Sequence, residues 1–308
     1  MLNIPISISL RLKESQNVLI LSLRDETLLS TLPIYMILKK LGKKVHIANV
    51  SSIDFSTIKS YADPLILDAN VLGATSTIKA PAANYQEGHF SSWIKQTFAE
   101  EVPVWMINKN AGPQTLKDSY KRIVHHLAID AIIVLDSGLN SIVTGLEIDC
   151  PKAMIDSSIN LFAIRDLEVP NKMLFTIGMS PEVEEQGCYF DVMKNITRMS
   201  QQGGAFGCCS LMSYMQSYNQ FKNLVSFVGM QSDGNIHKLN SNLIASVEGI
   251  DLDNPYGQEL YVSPLLSQYW MFDANAAIYN NKMIEFVEGT ESFYDVVQQI
   301  VPRLKKSV

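Results

Sequence analysis

Short apolar runs alternate along the chain with longer segments of helical period. This alternation predicts βαβ units built around a mostly parallel sheet. The clearest run, at 131–135, holds five consecutive apolar residues rich in β-branched types, which is typical of a strand buried on both faces. The same reasoning predicts further strands at 17–21, 44–48, 64–67, 102–107, 172–177 and 205–210.

The C-terminal part of the chain is predicted to be mainly helical. Helical spacing covers 239–248, 265–279 and 292–300, and no linker or change of composition separates this part from the rest. We therefore predict a single α/β domain over residues 1–308, with a helical C-terminal layer at about 211–308. Residues 69–87 show no period and predict a long loop.

Composition narrows the classes of protein that fit this chain. Of its 308 residues 47% are hydrophobic, so the chain has ample material for a core, and its net charge of -6 argues against nonspecific nucleic-acid binding. No apolar window is long enough for a membrane span, and the N-terminal residues lack the cationic start of a secretory signal. The four cysteines form no CxxC pair, which favours a cytoplasmic protein with free thiols.

The first predicted strand is followed by Ser22-Leu23-Arg24-Asp25-Glu26-Thr27. A phosphate cradle at such a junction needs glycines, because backbone N–H groups must approach the anion closely. This junction has none, and its two acids would repel a phosphate. Capping of the next helix by Asp25 is the expected role. The absence of GxGxxG also disfavours a nicotinamide dehydrogenase.

The turn after the strand at 131–135 is the best candidate site. Asp136 would lie at the carboxyl edge of the sheet, where such folds bind ligands, and we expect its carboxylate to open into a crevice. Gly138 permits a tight turn, and Asn140 and Ser141 offer hydrogen bonds. Glu147 follows in the same connecting segment. The alternative is that these residues only cap and close a β–α turn.

Several short segments form an ordered set along the chain: 42–49, 85–87, 136–147, 202–207, 239–241, 247–249 and 259–273. Taken together, they resemble the family of proteins of unknown function numbered 1152. The resemblance spans nearly the whole chain and implies a Rossmann-like α/β fold without supplying a reaction.

This chain also departs from the pattern of that family. At 23–26 it lacks the glycine cluster that the resemblance leads us to expect, and Asn140, Thr144 and Leu146 stand where ionisable residues or arginine are expected. Ionisable groups are therefore missing where a shared chemistry would need them.

The leading hypothesis is a Rossmann-like protein that binds a small polar metabolite, with group transfer or hydrolysis as the expected class of any reaction. Asp136 or Glu147 would act as the base. The sequence identifies no cofactor, and its histidines lack the spacing of a metal site. The residues expected to contact the ligand or to give it backbone access are Gly138, Asn140, Ser141, Gly178, Asn240, Ser241 and Glu248.

The second hypothesis belongs to another class. The missing glycines and ionisable groups would also fit a catalytically degraded relative that acts as an interaction or regulatory subunit. Such a protein would form a homo-oligomer or bind a protein partner. It should have a shallow or filled pocket and an apolar surface patch.

Overall fold

The computed structural model describes residues 4–58, 60–79, 85–145, 152–179, 186–232, 237–249 and 263–304. Within these ranges one large mixed sheet runs through the molecule. Its strands are β1 Asn17–Ser22, β2 Lys44–Ser51, β3 Leu65–Asp68, β4 Val71–Ala74, β5 Val104–Asn108, β6 Ala131–Ser137, β7 Asn171–Ile177, β8 Ala205–Ser210 and β9 Gln268–Asp273. All the strands that the sequence predicts are present.

The order of strands across the sheet is β3-β4-β5-β2-β1-β6-β7-β9-β8. The five central strands, from β5 to β7, are parallel, and the strands at both ends pair antiparallel. From β1 the chain first builds outward through β2 to β5, and then returns to place β6 on the other side of β1. Such a reversal of direction leaves a crevice at the carboxyl ends of the two flanking strands, where open α/β sheets bind their ligands.

Helices cover both faces of this sheet. Along β1, Val18 and Ile20 belong to one buried core, whereas Leu19 and Leu21 belong to the other, as the two-residue period of a strand requires. The prediction of an α/β fold is therefore confirmed. The helices are α1 Ile6–Arg11, α2 Asp25–Leu28, α3 Leu32–Lys40, α4 Phe55–Ile58, α5 Gln86–Phe98, α6 Pro113–His126, α7 Lys152–Arg165, α8 Gln186–Gln201, α9 Gln216–Gln231, α10 Lys238–Glu248, α11 Ala274–Asn280, α12 Ile284–Val287 and α13 Phe293–Leu304.

The predicted helix at 265–279 is wrong over its first half. Strand β9 lies between β7 and β8, and α11 begins only at Ala274. Tyr269 and Met271 face one core while Phe272 faces the other, so the alternation of a strand prevails over the helical spacing.

The C-terminal part is also not a single helical layer. It adds strand β9 to the sheet, and its helices lie on both faces of that sheet. Val225 of α9 and Leu243 of α10 belong to one core, whereas Ile284 of α12 and Ile300 of α13 belong to the other. The predicted loop at 69–87 is likewise interrupted, because β4 forms a hairpin with β3. None of the helices in the described ranges combines the length and the apolar character needed to cross a membrane.

Candidate functional site

Asp136 lies where the sequence predicts it, near the carboxyl end of β6 and next to β1. Its side chain is fully buried, so the expectation that it opens into a crevice is wrong. The carboxylate accepts hydrogen bonds from Arg24 Nε at 3.0 Å, Ser137 N at 2.9 Å, Ser157 Oγ at 2.6 Å and the Ser141 hydroxyl. A general base must come within hydrogen-bond reach of its substrate, and this carboxylate is enclosed by its protein partners.

Arg24 is the residue that the sequence analysis missed at this position. Its Nη2 donates to Ser157 Oγ at 2.9 Å, and only 14% of its side chain is exposed. Burial by itself lowers the pKa of Arg24, but the charge and hydrogen bond of Asp136, with weaker help from Asp156 and Glu26, raise it above its ordinary value. The ion pair therefore joins the residues that follow β1 to the end of β6.

The predicted site residues after β6 form a closed turn. Gly138 has φ +57° and donates its backbone N–H to Ile177 O at 2.8 Å, while Asn140 Nδ2 donates to Ser137 O at 2.8 Å. These contacts match the alternative interpretation, in which the residues close a β–α turn. Glu147 lies outside the described residues.

The sequence predicts that Gly178 gives a ligand access to the backbone. In the structure this glycine instead makes room for helix α10. Its φ is +81°, and a Cβ atom placed on it would lie 2.5 Å from Leu239 Cδ1 of α10. Its backbone N–H already donates to Leu266 O at 3.0 Å. The glycine thus allows α10 to pack closely against the end of β7.

Helix α10 brings only one of its three predicted residues to this edge. Asn240 is fully buried and its Nδ2 lies 3.3 Å from the backbone oxygen of Glu26, while its Oδ1 has no hydrogen-bond partner. Ser241 is exposed. Glu248 is exposed at the far end of the helix, about 12 Å along its axis, and pairs with Lys222. Ser241 and Glu248 are therefore not part of the site.

A second polar group, next to the first, involves the ends of β1 and β2. Asn49 of β2 is fully buried, and its Nδ2 donates to Asp25 Oδ1 and to Glu87 Oε1, at 2.8 Å in each case. The second oxygen of Asp25 accepts from the Ser52 side chain. Asp25 makes no capping hydrogen bond to α2, so the predicted capping role is wrong.

Glu87 is the most perturbed acid in this group. Burial and the charge of Asp25 raise its pKa to about 7, although hydrogen bonds from Ser51 and Asn49 act in the opposite direction. Burial and then the charge of Glu87 also raise the pKa of the Tyr85 hydroxyl, which is buried without a hydrogen-bond partner. The carboxyl edge of β1 and β2 is therefore a buried region rich in acceptor oxygens.

The sequence contained a signal for Glu87 that we did not use. Glu87, Phe90 and Ile94 have the i, i+3, i+7 spacing of one helix face, and all three are buried in α5. An acid in phase with the apolar stripe of a helix must find polar partners inside the protein. For Arg24 no comparable local signal exists, because its partners come from distant segments.

Comparison with known proteins identifies the family to which the chain belongs. A family model described as a protein of unknown function, DUF1152, matches residues 74–304. The chain belongs to this family. The resemblance inferred from the sequence is thus confirmed. In this member of DUF1152, Glu87, Asp136 and Asn240 lie within the matched region, whereas Arg24 and Asn49 precede it. Neither the curated proteins nor the solved structures gave a match.

Proposed function

We propose that this protein binds a small polar molecule at the carboxyl edge of its parallel strands, beside Asp25 and Glu26. The observation that carries the proposal is a pair of buried asparagines on two sides of this junction. Asn49 contacts Asp25 and Asn240 contacts Glu26, and the Oδ1 atom of each asparagine lacks a hydrogen-bond partner. Buried polar atoms are nearly always paired, and an unpaired one costs about 1–3 kcal/mol. A ligand that donates to both oxygens would remove this cost.

The strand order supports a Rossmann-like fold as part of the same proposal. In chain order, the five parallel strands lie across the sheet as third, second, first, fourth and fifth. Folds with this order bind their ligands beside the first strand, at the carboxyl edge. The proposed site is at that position.

The chemistry of the site favours a ligand that donates hydrogen bonds. Asp25 and Glu26 add carboxylates to the two asparagine oxygens, and both acids are partly exposed. Amino and hydroxyl groups would pair with these acceptors, whereas a phosphate would meet like charge and find no glycine-rich cradle. The proposal is limited to binding, because Asp136, one of the two predicted bases, is enclosed, and the other, Glu147, lies outside the described residues.

A thermal-shift screen against amino acids, sugars and nucleosides tests this proposal. A compound present at about a hundred times its Kd should stabilise the protein by about 2.7 kcal/mol, which is large enough to detect. We expect Asn240→Ala to remove the shift caused by the compound. Ser241→Ala is the matched control, since it alters the next, exposed residue of the same helix and should keep the shift.

The ligand-induced shift is read against the melting temperature of each variant without compound, so that any loss of stability in Asn240→Ala does not affect the comparison. Two results would contradict the proposal. One is a screen without any stabilising compound. The other is a compound whose effect is the same in Asn240→Ala and in Ser241→Ala.

One observation favours a second candidate function, the interaction or regulatory subunit. The Arg24–Asp136 ion pair occupies the place at the strand-order reversal where a larger ligand would insert. A filled crevice is what a degraded relative should have. This candidate requires an association, so a purified chain that light scattering reports as a monomer at micromolar concentration argues against it. A stable oligomer together with a negative screen would favour it.

A further inference from the structure

The two edges of the sheet differ in how they are protected against pairing with a further strand. Strand β3 forms one edge and β8 the other. The β3 edge has the features that block such pairing in many proteins, namely Pro64 directly before the strand, a bulge at 66–68 and the charge of Asp68. Strand β8 also has a bulge, at 205–207, but beyond it residues 208–210 include neither a proline nor a charged residue. The β8 edge is therefore the less protected of the two.

The backbone of Cys208 and Ser210 faces away from the sheet. In an antiparallel pair, successive residues turn their N–H and C=O groups alternately toward and away from the partner strand. Leu211 N donates to Ser267 O at 3.0 Å, in the register that β8 shares with β9. Cys209 therefore bonds to β9, and the backbone groups of its two neighbours point outward. Because β8 is the last strand of the sheet in the described part of the chain, these groups have no strand partner there.

Helix α1 covers only the first half of this edge. Ser7 Oγ donates to Phe206 O at 3.3 Å, and the guanidinium of Arg11 lies over the Phe206 ring, 4.2 Å from its centroid. Beyond these contacts Cys208 is exposed. A further strand could therefore pair with residues 208–210, but not with the residues before them.

The open stretch is flanked by four large apolar side chains that are 44% to 78% exposed. They are Ile6 and Leu10 of α1, and Met212 and Tyr214 directly after β8. No charged side chain interrupts the segments that carry them, 4–10 and 199–221, although 18% of the chain is charged. Apolar residues without charge are typical of the core of a protein–protein interface.

The absence of charge favours a second copy of this chain as the occupant. A two-fold contact places each residue near the axis opposite its own copy, so an unpaired charge there would face its like. In a chain with a net charge of -6, an uncharged surface lets two copies meet without this repulsion. Arg11, at the rim of the surface, is already paired with Asp273 at 3.6 Å. A partner of different sequence would be expected to use complementary charge, and this surface offers none.

We propose that two copies of this chain associate through β8, around a two-fold axis at Cys209, and so continue the sheet from one copy to the other. In this register Cys208 N–H donates to Ser210 O of the second copy, and Ser210 N–H donates to Cys208 O of the second copy. The symmetry doubles these two hydrogen bonds to four. Strand β8 lies four strands from β1, about 19 Å across the sheet, so the dimer does not depend on the proposed ligand site.

Light scattering of the full chain under reducing conditions tests the dimer. At micromolar concentration we expect twice the mass of one chain. Cys208→Lys places a charge close to its like across the axis, so this variant should have the mass of one chain. Ile66→Lys is the matched control, because it adds the same charge to an exposed residue of the β3 edge and should leave the dimer intact. Circular dichroism melting checks that both variants fold.

Thiol cross-linking locates the contact. In the proposed register the Cys208 residues of the two copies are diagonal neighbours on one face of the ladder, about 7–8 Å apart, which a short bis-maleimide can span. Mass spectrometry should identify a peptide in which Cys208 is linked to Cys208 of the second copy. Cys208→Ser should still form the dimer but lack this link.

Three results would overturn the proposal: a monomer in light scattering, a dimer that Cys208→Lys leaves intact, and a dimer that gives no link through Cys208. None of them decides whether a small molecule binds beside β1. Cys208→Lys leaves that region unchanged and should keep any shift that a compound causes in the thermal screen, so the two proposals can fail separately.

Discussion

The Nε atom of Arg24 lies 3.0 Å from Oδ1 of Asp136, in an ion pair that joins the end of β1 to the end of β6. The carboxylate is fully enclosed and the guanidinium is 14% exposed. Ser157 donates to Asp136 and accepts from Arg24, so all three side chains hold one another in place. This contact closes the sheet at the point where the order of its strands reverses.

Removal of Arg24 should destabilise the protein strongly. Arg24→Met leaves the buried carboxylate of Asp136 without its positive partner, which typically costs about 3 kcal/mol or more. Urea unfolding measures this loss. Lys194→Ala is the control, since it breaks the exposed pair of Lys194 with Asp191 and should change stability by less than about 0.5 kcal/mol. Equal effects of the two substitutions would show that the Arg24 pair is not buried as described.

Gly178 and Gly203 make a matched pair for testing the contact with α10. Both have a positive φ, of +81° and +73°, but only at Gly178 would a Cβ atom meet another side chain, that of Leu239. Gly203→Ala should therefore cost about 1 kcal/mol of backbone strain. Gly178→Ala should cost up to about 1 kcal/mol more, because the end of the Leu239 side chain must turn away from the added methyl group.

The double variant Gly178→Ala/Leu239→Ala checks the cause of that difference. If the methyl group of the alanine clashes with Leu239, the two substitutions should cost less together than the sum of their separate effects. Strict additivity in urea unfolding would contradict the close packing of α10 against the end of β7.

His46 should make the stability depend on pH in the acid range. Burial, followed by the charges of Lys44 and His126, lowers its pKa from 6.5 to about 4. Between these values the unfolded chain binds a proton at His46 that the folded chain does not bind, so the contribution of His46 to stability should fall as the pH drops from 6.5 to 4. In His46→Gln this contribution is absent. Urea midpoints at several pH values should show a shallower decline for the variant, and parallel profiles would refute the assignment.

The sequence predicts the central strands well because their pattern leaves few alternatives. Five apolar residues before Asp136 suit a strand buried on both faces, and this placed the acid correctly at the carboxyl edge. Its partner could not be inferred, since Arg24 lies 112 residues away in the sequence and meets Asp136 only through the pairing of β1 with β6.

The failures have equally specific causes. Leu266, Tyr269 and Trp270 fit a helix by their spacing. The continuous run of large apolar residues at 269–272 also suits a strand buried on both faces, and pairing with β7 and β8 decides between the two. Glu87 was overlooked because residues 69–87 were predicted to be a loop, whereas α5 begins at Gln86. Only the phase of α5, set by its packing against the sheet, turns this acid inward.

The most direct test of ligand binding at the carboxyl edge is a crystal structure of the protein soaked with a compound that stabilises it. We predict electron density for the compound beside Asp25 and Glu26, with donor groups within hydrogen-bond distance of Asn49 Oδ1 and Asn240 Oδ1. Density that lies consistently elsewhere, with both asparagine oxygens still unpaired, would contradict the account.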